Sequence, residues 1–419
     1  MNLYIDPGTG SMLFTILIGA AGAAVYALRY AWMWMKRVLS GGKIRDRSNR
    51  TVPIVFFTDS GRYWTIFKPL CDEMEKRGEE VLYLTASPDD PLLEVKYEHV
   101  KTEFIGEGNR AFARMNMLRA DIVLSSTPGL DVYQWKRSRF VKWYVHVLHA
   151  ANGVTSYRMF GTDYYDALLL SGEYQIRDVR KLEALRRLPA KECVLAGLPH
   201  MDAILERWQK RGPAPAHETT VLLAPSWGPS SIFNRFGEKM IECLIKTGYH
   251  LIIRPHPQSM TSEKALIDRL RRQFPENEKL EWNFDHDNFD ALYRSDLLIS
   301  DYSSVVFDFA LIFDRPVIYA DVSFDQDPYD AGWLDEDMWI LRALPRIGTQ
   351  LTQENADRLP ELIEESLRSE AYAEGRKAVM AETWANPGHA VPIIADYLTQ
   401  TRERLAKEAE KDDAQSAFP

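Results

Sequence analysis

Short apolar runs alternate with longer amphipathic stretches along most of the chain. The first run is "VPIVFFTD" from Val52, and five further runs follow it up to "CVLAGLP" from Cys193. A second series begins at "TVLLAPSW" from Thr220 and continues with "HLIIRPHP" from His250, "LLISDYSS" from Leu297 and "PVIYAD" from Pro316. Continuous apolar strands separated by helical segments are typical of parallel sheets covered on both faces. The pattern therefore predicts an α/β protein with two sheet-containing units.

A polar, proline-rich stretch separates the two series. It reads "ERWQKRGPAPAHETT" from Glu206 and has the composition of an interdomain linker. A length of 419 residues also favours two domains over a single core. We therefore expect one Rossmann-like domain over 51–205, a second over 206–395, and a charged tail, helical or disordered, over 396–419. Such folds bind ligands at the carboxyl ends of the strands, often between domains.

The N-terminal segment has a different pattern. No charged residue occurs from Met12 to Leu28, and the apolar stretch reaches Met35 with only Arg29 interrupting it. A bilayer core of about 30 Å needs roughly 20 apolar residues in a helix. A signal peptide would carry its basic residues before the apolar run, whereas here they follow it. A buried helix is the other alternative, but the pattern favours a short external N-terminus and one transmembrane helix over 1–37.

Charge gives the predicted orientation of this helix. A basic linker over 38–50 follows it, and no Lys or Arg precedes it. Because cytoplasmic flanks are enriched in Lys and Arg, we expect a single-pass protein of the cell membrane with its N-terminus outside and its body in the cytoplasm. The net charge of −9 gives no electrostatic support for nucleic-acid binding.

Polar residues follow two strands of the second series. "RPHP" places Arg254 and His256 at one strand end, and "SDYSS" places Ser303 and Ser304 at another. Parallel strands bring these ends to one edge, where an arginine, a histidine and a helix start suit a diphosphate. The flanking prolines restrict the backbone around the histidine ring. The simpler alternatives are a loop histidine bonded to backbone and a plain serine N-cap. For Asp301 the alternative to binding a metal is to cap or orient the turn.

The strand run "WYVHVLHA" ends in a second histidine candidate. His149 closes the run beside small residues that leave room for a substrate, so it is the better candidate for a general base. His146 would lie on the opposite face if the strand stays regular, and is interpreted as a core histidine. No DxD or HxxxH pattern in the sequence gives a convincing metal site, so we expect no metal and no cofactor.

Together these motifs resemble the CDP-glycerol glycerophosphotransferase family, the polymerases and primases of teichoic acid synthesis. "RPHP" followed by "ISDYSSVVFDFALIFDRPVIYAD" carries the resemblance, and "LLAPSW" and "GLPHMDAIL" fit the same pattern over roughly 142–330. The resemblance implies a GT-B-like fold, in which the first Rossmann-type domain binds the acceptor, the second binds the CDP donor, and the active site lies between them. It also implies transfer of a polyol phosphate to a hydroxyl of a membrane-linked acceptor, with release of CMP and without a metal.

The resemblance also implies roles for individual residues. His149 matches the family histidine that is proposed as general base, and His256 matches a second essential histidine near the donor phosphates. The candidate donor-binding residues are Arg254, Ser303, Ser304, Asp301 and Ser226. The chain departs from the family pattern around the first histidine, where "LHAANG" replaces a WHGTP-like motif, and after Trp227, where the family has an arginine.

Two other functions remain open at this stage. One is a GT-B glycosyltransferase that uses a nucleotide sugar in capsule or exopolysaccharide synthesis. The other is a membrane-tethered binding protein without catalytic activity on the same fold, which the altered "LHAANG" segment allows.

Overall fold

The structure is a computed structural model that describes residues 51–285, 287–320, 325–334 and 336–416, with side chains as far as residue 411. The predicted membrane helix (1–37) and basic linker (38–50) lie outside the described residues. None of the helices described is both long enough and apolar enough to cross a bilayer. Val52–Pro419 form one compact unit, which holds every feature of the candidate site.

The first half of this unit is built on a sheet of seven parallel strands. They are β1 (Val52–Thr58), β2 (Val81–Thr85), β3 (Val100–Phe104), β4 (Ala120–Ser125), β5 (Val141–Val147), β6 (Ala167–Leu170) and β7 (Glu192–Leu195). Their order in the sheet is β3-β2-β1-β4-β5-β6-β7. The central strands read as continuous apolar runs because helices cover both faces of the sheet. The order reverses between β1 and β4, which is where such sheets open a crevice for ligands.

The second half repeats the arrangement with six parallel strands. They are β8 (Thr220–Leu223), β9 (His250–Ile253), β10 (Leu280–Trp282), β11 (Leu297–Ser300), β12 (Val317–Ala320) and β13 (Gly348–Leu351). Their order is β10-β9-β8-β11-β12-β13, with the reversal between β8 and β11. The two Rossmann-type sheets that the alternating pattern predicts are therefore both present.

Helices connect and cover the strands. They are α1 (Trp64–Lys76), α2 (Asn109–Met115), α3 (Glu173–Arg186), α4 (Pro199–Arg211), α5 (Ile232–Arg235), α6 (Gly237–Lys246), α7 (Ser259–Ser262), α8 (Lys264–Gln273), α9 (Phe289–Arg294), α10 (Val305–Phe307), α11 (Trp339–Ile347), α12 (Leu359–Arg368), α13 (Ala373–Thr383) and α14 (Ala390–Ser416). The chain continues from α10 into a π-helical segment, Asp308–Ile312. The predicted linker from Glu206 thus begins inside α4, and the loop between the sheets is 212–219.

The C-terminal helix returns to the first sheet. Ile394, Leu398 and Leu405 of α14 are buried in the same apolar cluster as Phe67 of α1. The start of this helix is held by Asp202 of α4. The Asp202 carboxylate accepts hydrogen bonds from the Trp384 indole and from the backbone N–H groups at 388 and 390. The segment expected as a charged tail from residue 396 is therefore part of a docked helix, whose charged residues up to 411 are exposed or half-buried.

Candidate active site

A cleft lies where the carboxyl ends of the two sheets meet. It encloses about 190 Å³, and its lining comes from segments that follow β1 and β5 in the first sheet and β8, β9 and β11 in the second. Five of the predicted site residues line it: His149, Arg254, His256, Ser303 and Ser304. Residues more than one hundred positions apart in the chain therefore share one cavity, because both sheets present their strand ends to it.

His149 enters the cleft from the first sheet. It lies two residues beyond the end of β5, and its ring is 5.1 Å from the ring of Tyr63. Burial lowers the pKa of His149 to about 4, and the charge of Arg62 and the ring of His200 act in the same direction. The imidazole is therefore neutral at pH 7 and can accept a proton.

His146 and His149 do not diverge to opposite sides. The Tyr157 hydroxyl is 2.9 Å from His146 Nε2 and 3.4 Å from His149 Nδ1, so both rings meet one side chain. Regular strand alternation ends at Val147, before His149 is reached. His146 is almost completely buried, as expected of a core histidine.

His256 enters the cleft from the second sheet, between Pro255 and Pro257. The backbone N–H of Gln258 donates to His256 Nδ1 at 3.0 Å. Burial lowers the pKa of His256 to about 4, with Arg62 and Arg254 acting in the same direction and Glu263 opposing them. The neutral ring with an accepting Nδ1 carries its proton on Nε2, so His256 is a hydrogen-bond donor rather than a base.

Arg254 is buried at the base of the same segment. Its guanidinium donates to the Asn283 side chain and, at 2.7 Å, to the Asp285 carbonyl. These contacts fix the position of the guanidinium. They use only some of its N–H groups, so Arg254, which lines the cleft, can still donate to a ligand.

Ser303 and Ser304 follow β11 and line the cleft before α10. The Ser304 side chain makes no capping hydrogen bond to the helix. Its hydroxyl is therefore not committed to the N-cap role that the sequence left open. The helix itself is only three residues long before the π-helical segment begins, so we assign no dipole effect to it.

Asp301 and Ser226 have a different place from the one predicted. Asp301 is fully buried, and its two carboxylate oxygens accept the backbone N–H groups of Ser226 at 2.8 Å and Ile232 at 3.1 Å. Burial raises the pKa of Asp301 to about 6, against the effect of these hydrogen bonds. Neither Asp301 nor Ser226 is among the residues that line the cleft. Asp301 holds the loop after β8, whereas the Ser226 hydroxyl is buried without a hydrogen-bond partner among the described residues.

Replacing Asp301 with alanine is expected to destabilise the protein by about 2–4 kcal/mol, since two buried backbone N–H groups lose their acceptors. Asp301→Asn keeps one carbonyl oxygen and should lose less than Asp301→Ala. Urea unfolding of the two variants measures the difference. Equal stability of both variants and the wild type would contradict this role.

A histidine–aspartate pair, which the sequence analysis did not single out, spans the cleft. His200 at the start of α4 contacts Thr65 Oγ1 through Nδ1 at 3.0 Å and Asp308 Oδ2 through Nε2 at 3.2 Å. Burial disfavours a charged His200 ring, but the Asp308 carboxylate outweighs it and the pKa is raised. Both ring nitrogens are engaged, so His200 joins the two halves and is not a free base.

Two further groups in the cleft carry charge. Asp308 Oδ1 is buried without a hydrogen-bond partner among the described residues, which leaves an acceptor at the cleft wall. Arg62 follows β1, and its positive charge lowers the pKa of both His149 and His256. The side chain of Arg62 thus lies near both predicted catalytic histidines. No cluster of three or more metal-ligating side chains occurs in the described part of the chain.

Comparison with known proteins identifies the family. A family model described as CDP-glycerol:poly(glycerophosphate) glycerophosphotransferase matches residues 162–380, just over half of the chain. The chain belongs to this family. The range of this chain that matches the glycerophosphotransferase model contains Arg254, His256, Ser303 and Ser304. His149 precedes this range and lies in the segment where the sequence departs from the family pattern.

A curated relative agrees with the family assignment. The teichoic acid glycerol-phosphate primase of Bacillus spizizenii is 34% identical over 122 residues, which is 28% of this chain and 28% of the primase. The match thus spans little more than a quarter of the primase, and it does not transfer the activity of that whole protein to this chain.

Solved structures support the fold. A structure of the wall teichoic acid polymerase TagF soaked with CDPG is 15% identical, covers 91% of this chain and 98% of its own, and has a TM-score of 0.56. A putative UDP-N-acetylglucosamine 2-epimerase from Listeria monocytogenes is 14% identical, covers 82% and 94%, and has a TM-score of 0.54. The predicted GT-B-like arrangement of two Rossmann-type domains around a cleft is confirmed by these likenesses.

Proposed function

We propose that this glycerophosphotransferase-family protein transfers glycerol phosphate, or a related polyol phosphate, from a CDP-linked donor to a hydroxyl of a membrane-linked acceptor, releasing CMP. The main support is that His149 and His256, which come from different sheets, line one cleft. Family membership over 162–380 supports the CDP-polyol as donor, since this range contains the residues of the second sheet that line the cleft.

The donor diphosphate is placed against the second sheet. The Nε2–H of His256, the guanidinium of Arg254 and the hydroxyls of Ser303 and Ser304 are donors that can meet its oxygens. Arg62 from the first sheet adds positive charge on the other side of the cleft. Positioning and charge stabilisation of this kind supply most of the rate enhancement in phosphoryl transfer.

The acceptor is placed against the first sheet. Its hydroxyl oxygen attacks the phosphorus that carries the polyol, while its proton passes to His149. A new P–O bond forms, the P–O bond to CMP breaks, and CMP leaves with the bridging oxygen. The Oδ1 atom of Asp308, which has no hydrogen-bond partner among the described residues, can accept a hydrogen bond from a second hydroxyl of the acceptor.

The lowered pKa of His149 predicts an unusual pH profile. Below its pKa of about 4 the ring is protonated and cannot act as a base, and above it the ring is neutral. The acid limb of kcat/KM, which reports the free enzyme, is therefore expected near pH 4 rather than near 6.5. Initial rates from about pH 3 to pH 8, with circular dichroism to follow folding at each pH, measure it. An acid limb near 6.5 in a folded protein would contradict the buried neutral base.

The identity of the released nucleotide tests the proposed function. The full-length protein in detergent is incubated with CDP-glycerol, CDP-ribitol or a UDP-sugar, each with a membrane extract as acceptor. Release of CMP from a CDP-polyol is expected. Release of UDP from the sugar donor alone would instead favour a glycosyltransferase, and no turnover or nucleotide binding would favour a non-catalytic binding protein.

We further propose that the apolar segment within 1–37 anchors the protein in the cell membrane, with the body in the cytoplasm beside the acceptor. The support is the charge-free run and the basic cluster after it. Alkaline extraction of membranes should leave the protein in the pellet, and protease should digest its body only from the cytoplasmic face. Extraction into the supernatant would contradict the anchor.

A further inference from the structure

Behind His149, away from the cleft, a tyrosine hydroxyl bridges two histidines. Tyr157 Oη lies 3.4 Å from His149 Nδ1 and 2.9 Å from His146 Nε2. Neither Tyr157 nor His146 is among the residues that line the cleft, and His146 is 1% exposed. The three side chains thus form a row that leads from the first sheet to the predicted base.

The number of protons in this row limits its arrangement. A tyrosine hydroxyl has one proton to donate, so it can donate to one histidine and must accept from the other. Burial raises the pKa of Tyr157, which keeps the hydroxyl protonated. Burial lowers the pKa of His146 to about 3, with His149 acting in the same direction, so that ring is neutral and carries one N–H.

The surroundings of His146 decide between the two directions. Its Nδ1 is buried without a hydrogen-bond partner among the described residues, and the backbone of Ser125, which is paired with His146 across β4 and β5, raises the pKa of His146, as a carbonyl acceptor does. A carbonyl at that position favours the proton on Nδ1 and leaves Nε2 as an acceptor. Tyr157 then donates to His146, and His149 Nδ1–H donates to Tyr157.

We propose that His146 and Tyr157 form a hydrogen-bond relay that keeps the proton of His149 on Nδ1 and leaves its Nε2 lone pair for the acceptor hydroxyl in the cleft. The relay rests on the proposed function only in its catalytic consequence, since the position of the proton can be measured without turnover. His146 and Tyr157 are positioning residues that act through His149.

The relay does the orienting work that a carboxylate does in a Ser-His-Asp triad, but with neutral groups. When His149 takes the acceptor proton at Nε2, its Nδ1–H remains bonded to Tyr157, and no proton needs to leave the row. A neutral partner stabilises the imidazolium less than a carboxylate would. This agrees with the low pKa of His149 and makes positioning, rather than base strength, the contribution of the relay.

Kinetics of three variants test the relay. Tyr157→Phe and His146→Leu each break it and should lower kcat by roughly 10- to 100-fold with little change in KM, less than the about 10⁴-fold loss when a carboxylate orienter is replaced. His146→Gln places an amide oxygen near Nε2 and should restore most of kcat. Tyr165→Phe is the matched control, since it removes a neighbouring buried hydroxyl that bonds to the Thr127 carbonyl instead.

The effect of Tyr157→Phe in the His149→Ala variant distinguishes a positioning role from a general loss of structure. Adding Tyr157→Phe to His149→Ala should cause no further loss, because the relay acts only through His149. A further tenfold loss in that background, or equal kcat for His146→Gln and His146→Leu, would overturn the proposal.

Nitrogen chemical shifts test the relay independently of any activity. In protein labelled with ¹⁵N-histidine at pH 7, His149, assigned by its loss in His149→Ala, should be neutral with its proton on Nδ1. Tyr157→Phe should shift this population toward Nε2–H. A proton on Nε2 in the wild type, or a tautomer that Tyr157→Phe leaves unchanged, would disprove the relay even if CDP-glycerol is turned over. The expected tautomer would support it even if the donor proves to be another nucleotide.

Discussion

The His149→Ala variant is expected to lose about 10²–10⁴-fold in kcat while binding the donor nearly as well as the wild type. The reason is the position of His149 on the first sheet, across the cleft from the residues assigned to the diphosphate. A group that acts only on the acceptor proton contributes in the transition state and not to donor affinity. Steady-state kinetics of CMP release, with titration of CDP by calorimetry, separate the two effects.

A second histidine provides the control for this variant. His217 is exposed in the loop before β8 and is not among the residues lining the cleft, so His217→Ala should keep wild-type kinetics. If His149→Ala also transfers at the wild-type rate, His149 is not the base. If it loses donor binding in proportion to kcat, the ring belongs to the donor site instead.

The His256→Ala variant is expected to lose both donor affinity and turnover. Its Nε2–H is assigned to a phosphate oxygen, and a hydrogen bond to a charged group contributes about 1.5–3 kcal/mol. This corresponds to a fall in kcat/KM of roughly 10- to 100-fold, with a weaker Kd for CDP. The same calorimetric and kinetic measurements apply.

His256→Gln distinguishes donation from simple packing at this position. A glutamine amide can place an N–H group near the former Nε2, so this variant should recover part of the loss seen with alanine. Equal losses for glutamine and alanine would argue against a donated hydrogen bond, and wild-type CDP binding by His256→Ala would contradict its place beside the phosphates.

The central strands of both sheets could be predicted from the sequence because they are buried on both faces. The strands that the pattern missed, β3, β10 and β13, all lie at sheet edges. An edge strand such as Val100–Phe104 exposes polar side chains, so it has no continuous apolar run to reveal it. The docking of α14 was missed because its buried positions, such as Ile394 and Leu398, continue into a segment rich in charged residues from Arg402 onward.

The candidate site was predictable where chemistry follows directly after a strand. This reasoning found His149, Arg254 and His256, and the same reasoning applied to "DSGR" after β1 would have found Arg62. It assigned Asp301 to the donor because sequence proximity does not distinguish a buried carboxylate that bonds to backbone from one that faces a ligand.

Other parts of the site depend on contacts that no spacing encodes. His200 meets Asp308 across 108 positions of sequence, so their pairing follows only from how the two sheets face each other. The contact of Tyr157 with His146 and His149 depends on the end of β5 and the loop that follows it. Strand alternation, if it continued past Val147, would place His146 and His149 on opposite faces of the sheet, but the strand ends at Val147.

The central claim is that the donor diphosphate lies between the two histidines. A crystal structure of the His149→Asn variant soaked with CDP-glycerol tests it most directly. The account predicts the diphosphate in the cleft, with an oxygen within hydrogen-bond reach of His256 Nε2, about 2.6–3.2 Å, and with the phosphorus that carries glycerol open toward residue 149. A nucleotide bound elsewhere, or a diphosphate turned away from both positions, would contradict it.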